Sequence, residues 1–162
     1  MNPEPPASDL VAALVKLYIA RPARIDLRGV PVAFGPDADW LGECLSEEPS
    51  GMRRYACDLE LQVGPDRRAT FRKSAIVGLG ALARVDDAWV VPVEWHAATL
   101  APLFPVFVGH LRLRTERVEL DGWYTPPGGK IGYVLDRALL HIAARGTGRW
   151  FLHKVEAVLG GT

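Results

Sequence analysis

A chain of 162 residues has room for one ordinary domain and little beyond it. With 49% apolar and 23% charged residues, its composition is that of a protein with a core and excludes a disordered chain. Lys plus Arg equals Asp plus Glu at 19 each, so no net field draws it to nucleic acid or an anionic membrane.

Pro3, Pro5 and Pro6 predict a disordered leader over 1–7, ahead of a single domain over 8–162. Ser8 can cap a helix with Asp9 in its first turn. Leu10, Ala13, Leu14, Leu17 and Tyr18 follow at helical spacing, so a short amphipathic helix is expected before Arg21-Pro22. Residues 24–34 then alternate as a strand whose parity switches at Gly29, where a bulge would repair the register. Residues 36–45 carry Trp40, Leu41 and Cys44 at the spacing of a short helix, and 47–51 read as a turn.

From Tyr55 the pattern is a meander. Tyr55, Cys57, Leu59, Leu61 and Val63 alternate with Ala56, Asp58, Glu60 and Gln62, and Gly64-Pro65-Asp66 supplies a turn. Residues 70–80 form a second, less regular strand. In 88–97, Trp89, Val91, Val93 and Trp95 share one face while Val90, Pro92, Glu94 and His96 share the other. Pro92 places this strand at an edge or a bulge. Residues 106–114 set Phe107, Leu111 and Leu113 against His110, Arg112 and Arg114, and Thr115-Glu116-Arg117 leads into a strand over 118–124.

Strands that alternate this cleanly have one wet face, and short links between them favour antiparallel pairing. Their apolar faces need a cover. Beyond Pro126-Pro127-Gly128-Gly129, the residues Ile131, Val134, Leu135, Ala138, Leu139 and Ile142 run at helical spacing. The pattern resumes after Gly146-Thr147-Gly148 with Phe151, Leu152, Val155, Val158 and Leu159. Each glycine costs about 1 kcal/mol against alanine inside a helix, which predicts a kink or looseness at 146–148. The expected fold is therefore α+β. An antiparallel sheet of about six or seven strands is closed by one long C-terminal helix, with a short extra helix at the N-terminus.

Several residues also carry a family resemblance. Val91-Pro92-Val93-Glu94-Trp95 with Leu103-Phe104-Pro105 is similar to a strand and loop of the helix-grip superfamily, which holds the START, polyketide cyclase and pollen-allergen proteins (SRPBCC). So is the stretch Leu120-Asp121-Gly122-Trp123-Tyr124-Thr125-Pro126-Pro127-Gly128-Gly129, followed by Gly132, Leu135-Asp136-Arg137, Leu140-His141 and Ala144. The chain resembles bacterial members of that superfamily over roughly 85–159. Its N-terminal part departs from the usual order, with a helix before the first strand and a single short helix after it. The resemblance implies a curved sheet gripping the long helix, with a ligand cavity between them. It implies no catalytic residues.

Trp89, Val91, Val93, Trp95, Phe107, Leu111 and Leu113 form the apolar, aromatic lining expected of a small-molecule pocket. Trp123 and Tyr124 point to opposite faces at the end of the last strand, so one is expected to pack under the Pro-Pro-Gly-Gly junction and the other to rim the cavity mouth, with Tyr124 among the ligand candidates. Tyr133 and Tyr55 could each offer a hydroxyl to a ligand, although buried tyrosines usually find a protein partner. Any packed core needs the same large apolar residues. His96 and His110 fall on the polar parity of their strands. His141 lies within helical reach of Arg137 and Arg145, with Asp136 close by, either as an acid–base group or as part of a cluster that seats the helix. Cys44 and Cys57 are too few for a disulfide framework or a metal site, and each reads as a small buried hydrophobe. The arginine pairs 53–54 and 67–68, with Arg72 and Lys73, read as solvated strand ends before they read as a nucleic-acid patch.

Gly128-Gly129-Lys130-Ile131 lacks the spacing and hydroxyl of a phosphate loop, and no nucleophile elbow or metal-ligand spacing occurs. No cofactor is expected. The acidic, proline-rich start is unlike a signal peptide and no apolar run approaches ~18 residues, so a cytoplasmic protein without stable membrane insertion is expected. Three functions fit. The first is a binder of a small apolar or aromatic molecule, lipid-like or polyketide-like. The second is a cyclase or dehydratase using the same cavity. The third is an interaction module with a filled core. A homodimer through the sheet edge or the N-terminal helix is compatible with each.

Overall fold

A computed structural model describes residues 14–63, 69–98, 106–125 and 137–160. The leader, the turn at 64–66, Leu103–Pro105, the Pro-Pro-Gly-Gly junction, Tyr133 and Asp136 lie outside them.

The segment Val15–Pro22 is a strand, β1, with Leu17 and Ile19 buried while Lys16 and Tyr18 face out. This corrects the helix expected to reach Tyr18. Leu14, Leu17 and Tyr18 satisfy a helical period, but Val15, Leu17 and Ile19 satisfy a period of two equally well. The β-branched and aromatic residues of the segment then favour the strand that a neighbouring strand can pair with. The part of that helix before residue 14 lies outside the described residues.

Residues 24–34, expected as a strand, form a 3-10 turn at Leu27–Gly29 and one turn of helix, α1, at Val30–Ala33. Asp26 decides this locally, because its carboxylate accepts from the Arg28 N–H at 3.1 Å and caps the turn. Pro31, which has no N–H to lose, sits in the first turn of α1. The helix expected over 36–45 is absent. Gly42 has φ +133°, outside the helical region, and the strand β2 (Glu43–Glu47) begins just after it. Cys44 is consequently exposed rather than buried, while Cys57 is buried.

The strands β3 (Arg53–Val63), β4 (Ala69–Leu79), β5 (Ala83–Val85), β6 (Ala88–Ala97), β7 (Val106–Arg114) and β8 (Arg117–Thr125) follow, then helix α2 (Arg137–Leu159). The sheet is eight-stranded and antiparallel in the order β1-β8-β7-β6-β4-β3-β2, with β5 pairing β6, so the expected six or seven strands fall short. The extra strand β5 is made by a tight turn in which Asp86 has φ +55°. Pro92 does not mark an edge, since β6 is paired on both sides. It falls where the partner of β6 changes from β4 (Leu79 opposite Val93) to β5 (Ala83 opposite Val90). There its carbonyl accepts from Gly80 N at 2.8 Å, and a proline costs no ladder bond.

One face of the sheet is covered by α2 through Ala144, Phe151, Leu152, Val155 and Leu159, all buried at helical spacing. The helix approaches β1 and β8 on one side and β3 on the other. It runs through Gly146-Thr147-Gly148 as one uninterrupted helix, against the expected break. The glycine there serves a close approach to the sheet: a Cβ on Gly148 would meet Ile19 Cδ1 at 2.6 Å and Leu120 Cδ2 at 3.3 Å. The far end of α2 is tied down where Asp26 N donates to Leu159 O at 2.9 Å. No described helix is long and apolar enough to cross a membrane.

Candidate binding site

Register places one line of residues across the sheet, inward-facing except for the exposed Cys44 at its β2 end. Val15, Tyr124, Phe107, Trp95, Val77, Tyr55 and Cys44 stand opposite one another on successive strands from β1 to β2. Four of them are aromatic, and glycine shapes the centre of the line. Gly109 and Gly122 face each other on β7 and β8, and a Cβ on either would lie 2.7 Å from Phe107 Cζ. The Phe107 ring therefore lies over this glycine pair. Trp95 stacks on it with centroids 4.2 Å apart and planes at 20°. From α2, Phe151 leans on Trp95 at 5.9 Å, and Trp40 and Phe34 extend the cluster at 6.2 and 5.6 Å steps.

The polar atoms of this cluster differ in their partners. Trp40 donates its indole N–H to the Ala33 carbonyl at 2.7 Å. The Trp95 indole nitrogen is buried and has no hydrogen-bond partner among the described residues. A buried donor left unpaired costs about 1–3 kcal/mol. Trp89 has the same unpaired nitrogen at the other end of β6, where Arg84 lies over its ring at 5.2 Å. Tyr124, two strands or about 10 Å from Trp95, shares a hydrogen bond of 3.2 Å between its hydroxyl and His141 Nδ1. Tyr124 is buried and His141 exposed, so the pair joins the interior to solvent.

Of the residues expected to line a pocket, Tyr133 lies outside the described residues, Trp89 is half-buried and the others are buried. Val91, Phe107, Leu111 and Leu113 have no exposed surface at all, and Val93 and Trp95 only 1% each. The middle of this face is therefore filled by its own side chains, and the unpaired indole nitrogens of Trp89 and Trp95 mark the two ends of β6. His96 and His110 are exposed, as the strand parity predicts. Tyr124 as the partner of His141 was not foreseen, because nothing in sequence links residues 17 positions apart on a strand and a helix. The orphan nitrogen of Trp95 was equally invisible. The signal that could have found the ring geometry is the Gly109–Gly122 pair on two otherwise bulky strands.

Elsewhere, charges are paired structurally. Arg54 bridges Glu48 at 3.0 Å and Glu94, and Arg53 reaches Glu47 at 3.5 Å, so this part of the basic patch is occupied. Glu119, only 9% exposed, accepts from Tyr18 Oη at 3.0 Å and from Arg114 at 2.8 Å, and pairs with Arg117 at 2.9 Å. Burial pushes the Cys57 thiol up to about 11, which leaves it unreactive at neutral pH. Among the described residues no group of His, Cys, Asp or Glu is placed to hold a metal ion. Compared with known proteins, the chain matches no family model, no curated protein and no solved structure.

Proposed function

We propose that this chain is a helix-grip protein that binds a small apolar, partly aromatic molecule carrying a hydrogen-bond acceptor, between sheet and α2 at the Trp95–Tyr124 end, where the packed rings part to admit it. The strand order supports the fold reading. β1 lies beside β8, a helical connector precedes β2, and α2 touches both flanks of the sheet, which is the helix-grip outline. The strand at Val15–Pro22, where the sequence pattern predicts a helix, brings the described N-terminal part nearer to the family order. The observation that carries the ligand is the buried, unpaired indole N–H of Trp95 beside stacked rings. An acceptor atom on a bound molecule would satisfy it, and flat apolar surface would match the Phe107 and Phe151 rings. Native mass spectrometry of freshly purified protein should show an added mass that denaturation removes, with lower occupancy in Trp95→Phe. A bare mass, with no binding of the probe 1-anilinonaphthalene-8-sulfonate, would overturn the reading in favour of a solid interaction module.

The Tyr124–His141 pair favours a second reading, an enzyme of the cyclase or dehydratase kind. A phenol and an imidazole in hydrogen-bond contact can relay a proton between a buried substrate and water. Turnover of a polyketide-like substrate abolished by His141→Gln, with binding kept, would decide for it over a carrier.

A further inference from the structure

We infer that the outer face of the sheet is the interface of a homodimer whose two-fold axis runs along the strands between β7 and β8. No described element lies over this face, and it exposes Val108 (57%), Trp123 (48%) and Tyr18 (47%). Its register gives three rows across four strands, the third being Ala20, Glu119, Arg112 and Val90. Lys16, Trp123, Val108 and Glu94 form the first, and Tyr18, Asp121, His110 and Pro92 the second.

Each row is self-complementary. A two-fold axis between β7 and β8, lying in the interface, reverses a row onto itself. Lys16 of one copy then meets Glu94 of the other, Trp123 meets Val108, Asp121 meets His110, Tyr18 meets Pro92, Glu119 meets Arg112, and Ala20 meets Val90. Every apolar residue faces an apolar one, and each formal charge faces an opposite or ionisable partner, as an isologous contact requires. The charges are also held within each chain, Lys16 by Asp121 and Glu94 by Arg54, so closing the face strands no ion. Four strands at ~4.8 Å and nine residues at ~3.4 Å give a face of about 19 by 30 Å. That is the order of size of one side of a standard interface, ~800 Å². The sheet edge is the poorer contact, because the register shift between Cys44 and Ser46 breaks the β2 ladder.

Sedimentation velocity over a concentration series tests this independently of any ligand. Wild-type protein should sediment at twice the monomer mass. Val108→Glu and Trp123→Lys should each weaken the dimer roughly hundredfold or more, since the symmetry repeats each change twice. Both positions are solvent-exposed in one copy, so the circular dichroism and melting of the variants should match wild type. Mixed together, the two monomeric variants should form a 1:1 heterodimer, because the two new side chains face each other across the axis. A wild-type monomer at the highest concentration reached, a Val108→Glu variant that stays dimeric, or a mixture that stays monomeric would overturn the proposal.

Discussion

Gly148 of α2 and Ile19 of β1 fit so closely that a Cβ on the glycine would lie 2.6 Å from the isoleucine's Cδ1. Two effects oppose each other in Gly148→Ala. Helix propensity gains about 1 kcal/mol, while forcing a methyl into a filled core costs about 1–3 kcal/mol. Ile19 is only 4% exposed and Leu120 crowds the same point, so the steric cost should win. A net loss of about 1 kcal/mol is expected in urea unfolding. Ile19→Val removes the Cδ1 methyl. Alone it should cost 0.5–1.5 kcal/mol by the usual ~ range for this change, and combined with Gly148→Ala it should cost less than the sum. Strict additivity would mean that the two side chains do not compete for the same space.

Gly109→Ala should be much worse, because its new methyl would meet the backbone. The Gly122 Cα lies 2.7 Å from that point, as does Phe107 Cζ, and the Asp121 carbonyl is closer still. A ring can rotate, but the β7–β8 ladder cannot part without losing hydrogen bonds. A loss of about 3 kcal/mol or more is expected, at the upper end for overpacking. Near-UV circular dichroism of the Trp95–Phe107 stack should fall with it. A variant as stable as wild type would show that the ring does not depend on the glycine pair.

These two glycine sites also show what could be read in advance. β7 was legible because Leu111 and Leu113 alternate with His110, Arg112 and Arg114, and β6 because Trp89, Val91, Val93 and Trp95 recur at every second position, the pattern of a half-buried strand. Leu14, Leu17 and Tyr18 were not, because the same residues fit a helix or a strand and the choice depends on β8, a hundred residues away. Asp26 and Pro31 carried a readable turn signal in 24–34 that alternation of Ile25, Leu27, Val30 and Val32 obscured. The glycines of α2 were weighed only for propensity, whereas Gly148 answers to the closeness of Ile19. The inner face of the candidate site was visible, but neither the Tyr124–His141 bond nor the unpaired Trp95 nitrogen has any sequence signature.

The two cysteines should separate cleanly in reactivity. Cys44 is exposed on β2 and should react with iodoacetamide in the native state, while Cys57 should react only after unfolding. The shift also has a stability consequence. Burial raises the folded thiol from 9.0 to about 11, so between those values the unfolded chain has lost a proton that the folded one keeps. Stability therefore falls as pH rises through this window, by on the order of 2 kcal/mol across it. Cys57→Ala should flatten that part of the profile relative to wild type. Equal slopes for both proteins above pH 9 would count against a buried, protonated thiol.

Trp95→Phe is the change that bears most directly on the binding reading. Trimming an indole to a phenyl ring in a packed cluster loses about 1–2 kcal/mol, well below the ~3–5 kcal/mol for cutting a buried aromatic back to alanine. Removing an unsatisfied buried N–H returns about 1–3 kcal/mol. In ligand-free protein the two should offset, leaving stability within ~1 kcal/mol of wild type. Trp40→Phe provides the contrast, because that indole donates to the Ala33 carbonyl at 2.7 Å and its loss should add a bond to the packing cost. If Trp95→Phe instead costs as much as a tryptophan that loses both packing and a hydrogen bond, its nitrogen is already satisfied within the protein. A ligand acceptor would then have nothing to bind there.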